Sequence, residues 1–495
     1  MKIKSLLLGM MTCAALAACS NEDIVDNAGN QLEGDSYVAV NIVTPTSGSR
    51  ALGDVENGDA KENKVESAIF FFFDASGNGC AMPATPSLDF TDNAGQPSTI
   101  SKAVLVLENP TSFPASIVAV MNPTTKISSL GKAASLTTLR AEIEAYSTDA
   151  KGSFVMSNSV YVGSNNSVVD VTPVSSSNIC AKKEDALKNP VNIPVERVVA
   201  KIYAGLNGKG TSDDFTVDGS TQKIDVELIG WKATALNPQS NLLKKVDASW
   251  STSWTGWNDA TNFRSYWATS YAPTEGYTYF TYNDIADNLS SEYCLENTTS
   301  TTTKLIVAAK LTIGGKDVEL MEWRGAKYTK GGMQTYLANT SDVKQYYTKN
   351  GQTLTSLEGK YIDFTTSGAT SSYKVIATLA ANTPDLFDAT GNAVTKDVVN
   401  ATLKGLGEIK YWNGGASYYF TDIEHKGGEG LGSIGIVRNH SYKLTINSVT
   451  GLGTPVPDPD NKEIVPEKPV DDESYIAATV EVLKWKIVSQ SVDLN

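Results

Sequence analysis

The sequence predicts an all-β protein with minor short helices, arranged as β-sandwich domains. Period-two patterns dominate the chain: Ile224, Val226 and Leu228 alternate with acidic residues, as in a strand with one wet face. Turn signals such as Gly314-Gly315 separate neighbouring apolar runs. With 495 residues and 41% apolar content, the chain can bury at least two cores. We therefore expect two sandwich domains.

Strands are predicted in chain order from short apolar or alternating runs. Ala68 to Phe73 and Ile117 to Val120 are continuous apolar runs, typical of strands buried on both faces. Leu305 to Ile313 and Val318 to Met321 flank Gly314-Gly315 and predict a hairpin. A further strand is predicted where Tyr442, Leu444 and Ile446 alternate with polar residues.

Helices are predicted to be few and short. Leu136, Leu139 and Ile143 fit one helix face, with Ser135 or Thr137 as the start. A second helix is predicted from Thr395 to Leu403, stopped by Gly405. No repeat of short fixed period is present, which counts against solenoids and propellers.

The first nineteen residues have the pattern of a lipoprotein signal. Lys2 and Lys4 precede an apolar run from Leu6 to Leu16, and Ala17-Ala18 precede Cys19. The run is too short for a spanning helix, which needs about 20 residues. We expect residues 1–19 to act as the signal with its lipobox, so that the chain is exported, cut directly before Cys19 and lipidated on Cys19. Residues 20–23, Ser-Asn-Glu-Asp, resemble the surface-targeting signal of Bacteroidales lipoproteins.

Residues 20–50 are predicted to form a removable leader. One strand, Tyr37 to Val43, is followed by Pro45-Thr46-Ser47-Gly48-Ser49-Arg50, an exposed stretch suited to proteolysis. An ordinary loop carrying one basic residue is the alternative. Behind it we expect one sandwich over 51–215, a second over 216–475 and a C-terminal segment over 476–495. The inner boundary falls near Gly205 to Gly219, where Gly, Asn, Ser and Asp are crowded.

Composition argues against several function classes. The formal charge is −14 with a pI near 4.8, so the basic patch that nucleic acid requires is missing. Cys80, Cys180 and Cys294 lack CxxC spacing, allow at most one disulfide and argue against a zinc site. With only His425 and His440 and no phosphate-binding glycine motif, no metal, cofactor or catalytic residue is predicted. The chain is expected not to be an enzyme.

Seven sequence blocks have a distinctive pattern and order. They are GIVRNHSY (435–442), GLGTP (451–455), IAATVEVLKWKIVSQ (476–490), AIFFFFD (68–74), VAVMN (118–122), RVVAKI (197–202) and GWKATALN (230–237). These blocks resemble the shaft-forming minor fimbrillins of Bacteroidales type V pili. The likeness spans nearly the whole chain and is densest in the last sixty residues.

The resemblance implies two transthyretin-like β-sandwiches and a leader strand that is cut away. Arg50 matches the cleavage position, so an arginine-specific protease is expected to cut the Arg50–Ala51 bond. The strand carrying Val38, Val40 and Ile42 can then leave. The open groove between edge strands would accept a strand from the next subunit.

The C-terminus is the expected donor strand. Val480 and Val482 define one face, whereas Leu483, Trp485 and Ile487 alternate in the opposite phase. The phase change predicts a bulge or bend, so one half can stay in its own domain while the other enters a neighbour. The assigned donor residues are Leu483, Trp485, Ile487, Val488, Val492 and Leu494. A plain last core strand is the alternative.

The resulting prediction is a pilus shaft subunit that forms a head-to-tail homopolymer and mediates adhesion. Expected partners are copies of itself, fimbrial tip and anchor proteins and the maturation protease. The expected location is a surface fimbria, with the membrane contacted only through the precursor lipid at the outer membrane. The rival is a surface glycan-binding lipoprotein that uses an aromatic-rich segment. Its residues are Trp250, Trp254, Trp257, Tyr266, Trp267, Tyr271, Tyr277, Tyr279, Phe280 and Tyr282.

Overall fold

A computed structural model describes most of the chain. The described residues are 36–43, 55–59, 61–84, 99–108, 110–145, 153–162, 168–206, 210–246, 268–274, 276–425, 434–466 and 475–486. Within them the fold is all-β with a few short helices, as the sequence predicts. None of the helices in these ranges is long and apolar enough to cross a membrane.

The strands are numbered β1 to β35 in chain order. The first half of the chain contains β1 (Ser36–Val43), β2 (Val55–Asn57), β3 (Ala68–Phe73), β4 (Gly79–Ala81), β5 (Thr99–Leu107), β6 (Ser116–Met121), β7 (Ile143–Glu144), β8 (Met156–Asn158), β9 (Tyr161–Val162), β10 (Val168–Val169), β11 (Thr172–Pro173), β12 (Ile179–Cys180) and β13 (Val191–Arg197). Then follow β14 (Val199–Gly205), β15 (Thr211–Val217), β16 (Ser220–Thr234), β17 (Ser240–Asn241), β18 (Phe280–Thr281), β19 (Glu292–Leu295), β20 (Lys304–Ile313), β21 (Lys316–Asp317), β22 (Leu320–Trp323) and β23 (Ala326–Thr329). The remainder are β24 (Tyr347–Asn350), β25 (Thr353–Ser356), β26 (Ile362–Thr365), β27 (Lys374–Leu379), β28 (Leu386–Phe387), β29 (Ala393–Val394), β30 (Glu408–Trp412), β31 (Ala416–Asp422), β32 (His440–Thr450), β33 (Thr454–Pro455), β34 (Glu463–Ile464) and β35 (Tyr475–Lys486).

The α-helices of the described ranges are short. They are α1 (Thr125–Ser128), α2 (Leu136–Ala141), α3 (Lys183–Ala186), α4 (Tyr282–Ile285), α5 (Lys330–Ala338) and α6 (Lys396–Gly405). Both predicted helices are confirmed, as α2 and α6. Ser135 is the N-cap of α2, because its hydroxyl accepts from the Thr138 amide at 3.1 Å. Ile143 does not belong to α2: it lies in β7, paired with Asn241.

The first sandwich is built from β1, β3, β4, β5, β6, β8, β11, β12 and β13. Its core takes Val40 from β1, Leu105 from β5, Phe70 from β3 and Ile117 from β6, so the sheet curls over and packs against itself. Phe71 and the other alternate residues of β3 and β6 enter a second cluster covered by α1, α2 and the loop after β17. The prediction that both apolar runs are buried on two faces is therefore confirmed.

The second sandwich begins one residue after the first ends. The chain passes from β13 to β14 at Val198, earlier than the boundary at residue 215 that we expect from the sequence. Its smaller sheet has the order β19-β14-β32-β35-β2 and its larger sheet contains β15, β16, β20, β31 and β33. Ile202 and Leu444 from the smaller sheet pack against Trp231 and Val307 from the larger one.

A third core lies beside the second sandwich and was not predicted. The larger sheet continues through β23, β22, β30, β27 and β26, and α5 and α6 cover one of its faces. Met333 and Leu337 from α5 and Leu403 from α6 pack against Ile409 and Met321 of that sheet. The second domain is thus a sandwich with an α+β extension.

The extension also changes the predicted hairpin. Gly314 and Gly315 do form the turn, at φ 58° and 74°, but the returning strand β21 is only Lys316–Asp317. In the expected second strand, Val318 to Met321, the Val318 amide still donates to the Leu311 carbonyl of β20 at 3.4 Å. From Leu320 onward the chain forms β22, which pairs with β23 and β30 because Met321 is buried in the third core.

Buried ionic groups join the second sandwich to the loop that covers the first. Arg438 and Glu296 form an ion pair at 2.6 Å with both side chains fully buried. The Arg438 guanidinium also donates to the Leu242 carbonyl at 3.0 Å and to the Ser240 hydroxyl at 2.9 Å. Leu242 packs on the outer face of β3 and β6. This pair therefore ties the two sandwiches together.

We predict that Glu296→Gln strongly destabilises the protein, because it leaves the Arg438 charge buried without a counter-ion. The expected loss in the free energy of unfolding is on the order of 3–5 kcal/mol, measured by urea denaturation. Asp170→Ala is the control: it removes the exposed pair with Arg140, whose side chain is 45% exposed, and should cost below about 1 kcal/mol. Similar losses in the two variants would contradict this account.

Candidate strand-exchange groove

The predicted leader strand lies in the middle of the first sandwich. β1 runs antiparallel to β5 along its whole length, from Ser36 opposite Leu107 to Val43 opposite Thr99. On its other side it runs parallel to β13 and antiparallel to β12. Among the described strands, β5 pairs with β1 alone. Removing β1 would therefore open the sheet and leave β5 with unpaired backbone groups.

The inward face of β1 is apolar and closely packed. Val38 and Val40 are 0% exposed and Ile42 is 1% exposed. The register places Val38 opposite Leu105 and Val40 opposite Ala103, and all belong to one core. At roughly 1.5–3 kcal/mol each, the three side chains contribute about 5–9 kcal/mol by burial before ordering costs. The groove thus requires an apolar strand.

On its outward face, β1 contacts neighbouring elements through small and polar side chains. Ala39 packs with Cys180 of β12 and Ala186 of α3. The Asn41 amide donates to the Asn192 side-chain oxygen at 2.8 Å. A replacement strand consequently needs small or polar side chains at these alternate positions.

The C-terminal strand β35 is paired within its own domain. It runs antiparallel to β32 from Tyr475 opposite Thr450 to Lys484 opposite His440. The predicted bulge between Val482 and Leu483 is wrong: the only register shift between these two strands lies between Ile446 and Ser448, opposite Ala478 and Ala477. The extra residue therefore lies in β32, and β35 continues without interruption past the phase change.

The structure describes only some of the site residues predicted from the sequence. Leu483 and Trp485 lie in β35, opposite Ser441 of β32 and Glu56 of β2 respectively. Cys19, Arg50 and Ala51 lie outside the described residues, as do Ile487, Val488, Val492 and Leu494. The structure thus brings Val38, Val40 and Ile42 together in one core and places Leu483 and Trp485 in the other sandwich.

The cysteines and histidines are structural in the described ranges. Cys80, Cys180 and Cys294 are buried, and burial raises the pKa of Cys80 to about 11. His440 Nδ1 lies 2.8 Å from the Arg438 carbonyl, and His425 Nδ1 lies 2.8 Å from the Tyr442 hydroxyl. Within the described residues, no group of His, Cys, Asp and Glu could hold a metal ion.

The aromatic-rich segment is only partly described. Trp250, Trp254, Trp257, Tyr266 and Trp267 lie outside the described residues. The other aromatic residues of the segment are partly or fully buried. Tyr282 is buried and donates to the Ala309 carbonyl at 2.7 Å, the Tyr277 hydroxyl lies 2.7 Å from the Thr299 hydroxyl, and Phe280 packs against the cluster around Tyr282. Tyr271 and Tyr279 are half-buried. These contacts fit a packing role.

Comparison with known proteins gives one family match. Residues 410–491 match the model of the C-terminal region of fimbrillin, the major fimbrial subunit protein type IV. This range covers β30 to β35, including the β32–β35 ladder. No curated protein matches the chain.

Solved structures similar to this chain include three from Bacteroidales bacteria. A candidate cell adhesion protein from Bacteroides eggerthii is 11% identical, covering 91% of this chain and 96% of that one, with a TM-score of 0.38. One from Parabacteroides distasonis is 14% identical, covering 92% and 98%, with a TM-score of 0.38. A fimbrilin from Porphyromonas gingivalis is 15% identical, covering 92% and 98%, with a TM-score of 0.36.

These TM-scores are too low to support an argument about function, so the family match alone carries the assignment. It coincides with the densest part of the sequence resemblance. Residues 410–491 are similar to the C-terminal region of fimbrillins, which confirms the family resemblance found in the sequence.

Proposed function

We propose that this protein is a structural, non-enzymatic subunit of a surface fimbria, exported as a lipoprotein and polymerised by donor-strand exchange. In this proposal Cys19 carries the lipid of the precursor and a protease cuts after Arg50. The leader strand β1 then leaves, and a strand from another copy takes its place. The fimbria is the adhesive organelle at the cell surface.

The position of β1 is the observation that carries this proposal. β1 lies between β5 and β13, and its three inward side chains are almost fully buried, so its loss would remove part of the core. It joins the rest of the chain through the segment containing Arg50. Cleavage there would turn a covalent core strand into a replaceable one, which is the requirement for β-augmentation by a second chain.

The pairing of β35 supports a narrower proposal for the donor residues. Leu483 and Trp485 are assigned to the portion that stays in its own sheet. Ile487, Val488, Val492 and Leu494 come after the described part of β35 and are assigned to the inserting tail. Val488, Val492 and Leu494 are separated by even numbers of residues, so in an extended strand they share one face.

Donor and acceptor surfaces differ, so the contact is head-to-tail. Such a contact does not close on itself and propagates as a filament. In the assembled fimbria the subunit would contact copies of itself, with tip and anchor proteins at the two ends. The lipid would hold only the precursor to the outer membrane.

The first prediction concerns Arg50. Arg50→Ala should leave a folded precursor that retains β1 and forms no fibres, because the groove stays filled. Arg50→Lys separates the requirement for cleavage from the requirement for arginine: an added lysine-specific protease should restore assembly in that variant. Fibre yield is measured by sedimentation and the N-terminus by mass spectrometry. Normal fibres from uncut Arg50→Ala protein would overturn the mechanism.

The second prediction concerns the tail. Val492→Asp would bury an uncompensated carboxylate in the groove, at a cost of several kcal/mol, so fibres should be lost while the monomer still folds. Val492→Ile is the matched control and should assemble normally.

Fibres of the unchanged protein should persist in 1 M salt, where the Debye length is about 3 Å, because apolar contacts and ladder hydrogen bonds are little screened. Sedimentation at low and molar salt measures both effects. Dissolution of unmutated fibres in salt, or normal fibres from Val492→Asp, would exclude a donor-strand joint.

A further inference from the structure

The turn that follows β2 is closed by its own side chains. Asp59 Oδ1 accepts from the amides of Lys61 and Glu62, both at 2.9 Å. The Asn63 side-chain amide donates to the Gly58 carbonyl at 2.7 Å. We call residues 58–63 the Glu62 turn. It begins eight positions after the Arg50–Ala51 bond, so it belongs to the first part of the matured chain.

The second sandwich holds this turn through a buried carboxylate. Glu62 is 2% exposed. Its Oε1 lies 2.8 Å from Lys201 Nζ of β14 and accepts from the Tyr293 hydroxyl of β19 at 2.7 Å. Burial alone would raise the pKa of Glu62, but the hydrogen bonds from Lys201 and Tyr293 together lower it below its usual range. Glu62 is therefore bound as a carboxylate.

The first sandwich holds the same turn through a buried arginine. Arg197, the last residue of β13, is 0% exposed. Its Nε donates to the Glu62 carbonyl at 3.0 Å, and its Nη2 donates to the Asn63 side-chain oxygen. One turn near the mature N-terminus is thus fixed by both sandwiches, so losing β1 would not release it.

β2 enters this turn alongside the end of the C-terminal strand. It runs parallel to β35, with Val55 opposite Lys484 and Asn57 opposite Lys486. The β32 ladder ends at Lys484. Among the described strands, Trp485 and Lys486 therefore pair with β2 alone. The Glu62 turn thus begins directly after Asn57, the residue opposite Lys486.

We propose that β2, held by the Glu62 turn, remains paired with β35 after maturation and anchors Trp485 and Lys486, the residues that lead into the donor tail. The joint between copies then contains a second element, the mature N-terminal strand, at the base of each inserted tail. This inference rests on the proposed function for its role in assembly. The persistence of the β2–β35 pair after cleavage is independent of whether fibres form.

The physical benefit is preorganisation. If the end of β35 detached from its own sheet, a neighbouring subunit would have to order those residues again. Each residue ordered in this way costs conformational entropy. With β2 in place, Trp485 and Lys486 are already ordered in their own sheet. A strand anchored against both sandwiches also gives each joint the same direction.

A cysteine pair tests the persistence of β2. Asn57→Cys with Lys486→Cys joins residues opposed in parallel strands about 4.8 Å apart, within disulfide reach. Asn57→Cys with Glu481→Cys is the control, displaced by roughly 16 Å along the strand. Peptide mass spectrometry after oxidation should find the first bond within one chain, in the precursor and equally after an arginine-specific protease has cut after Arg50. Loss of the bond on cleavage, or equal bonding in the control, would overturn the inference.

A second variant tests the turn. Glu62→Ala should be cut normally after Arg50, but lysine-specific cleavage after Lys486 should rise at least tenfold and fibre yield should fall at least fivefold. Glu66→Ala, which removes an exposed pair with Lys64 at 2.6 Å, is the matched control and should change neither. Unchanged cleavage after Lys486 in folded Glu62→Ala protein would contradict the proposal.

The role of the β2–β35 pair in assembly is tested separately, by fibre yield. Fibres from the oxidised Asn57→Cys, Lys486→Cys protein should equal those of the reduced protein within twofold. Fibres that form only after reduction would show that β2 must leave. If the unmutated, cleaved protein forms no fibres at all, the proposed function fails, while the disulfide and Lys486 results still decide the fate of β2.

Discussion

The pairing of β1 with β5 is the interaction on which the first sandwich depends. β5 supplies Ala103, Leu105 and Leu107 to the core, yet within the described strands its backbone ladder is made to β1 alone. A strand must occupy the β1 position for β5 to stay in the sheet. The backbone ladder places little demand on which chain supplies that strand, since most ladder hydrogen bonds are independent of side-chain identity.

The second sandwich is built differently, and this difference underlies the separate roles proposed for the two sandwiches. Its C-terminal strand is held on one side by β32 and at its end by β2. In the proposed assembly the first sandwich accepts a strand from another copy, while the second keeps β35 paired in its own sheet. The buried Arg438–Glu296 pair and the Arg197 contacts join the two sandwiches.

Local patterns predicted the strands that matter most to this account. The apolar run of β3, the turn glycines 314 and 315 and the N-cap at Ser135 each encode their structure within a few residues, and each is confirmed. The assignment of Ile143 to a helix was wrong, because helical spacing alone does not reveal that this residue pairs with Asn241 of β17.

Other features depend on residues distant in the chain. The third core draws on side chains from Met321 to Tyr411 that no single window shows together. β5 was missed, although the alternation of Ala103, Leu105 and Leu107 could have indicated it. The Glu62 turn could not be predicted, because Arg197, Lys201 and Tyr293 meet it only after both sandwiches have formed.

Hydrogen exchange at the β5 amides tests the central claim most directly, because those amides report whether any strand occupies the β1 position. We would compare the precursor, fibres and a cleaved protein lacking residues 488–495 from which the leader peptide has been removed. Intact mass should show fibre chains that begin at Ala51. The account predicts protection of residues 101–107 in precursor and fibre and its loss in the truncated protein. Fibres that retain residues 36–43, or fibres in which the β5 amides exchange freely, would contradict strand replacement.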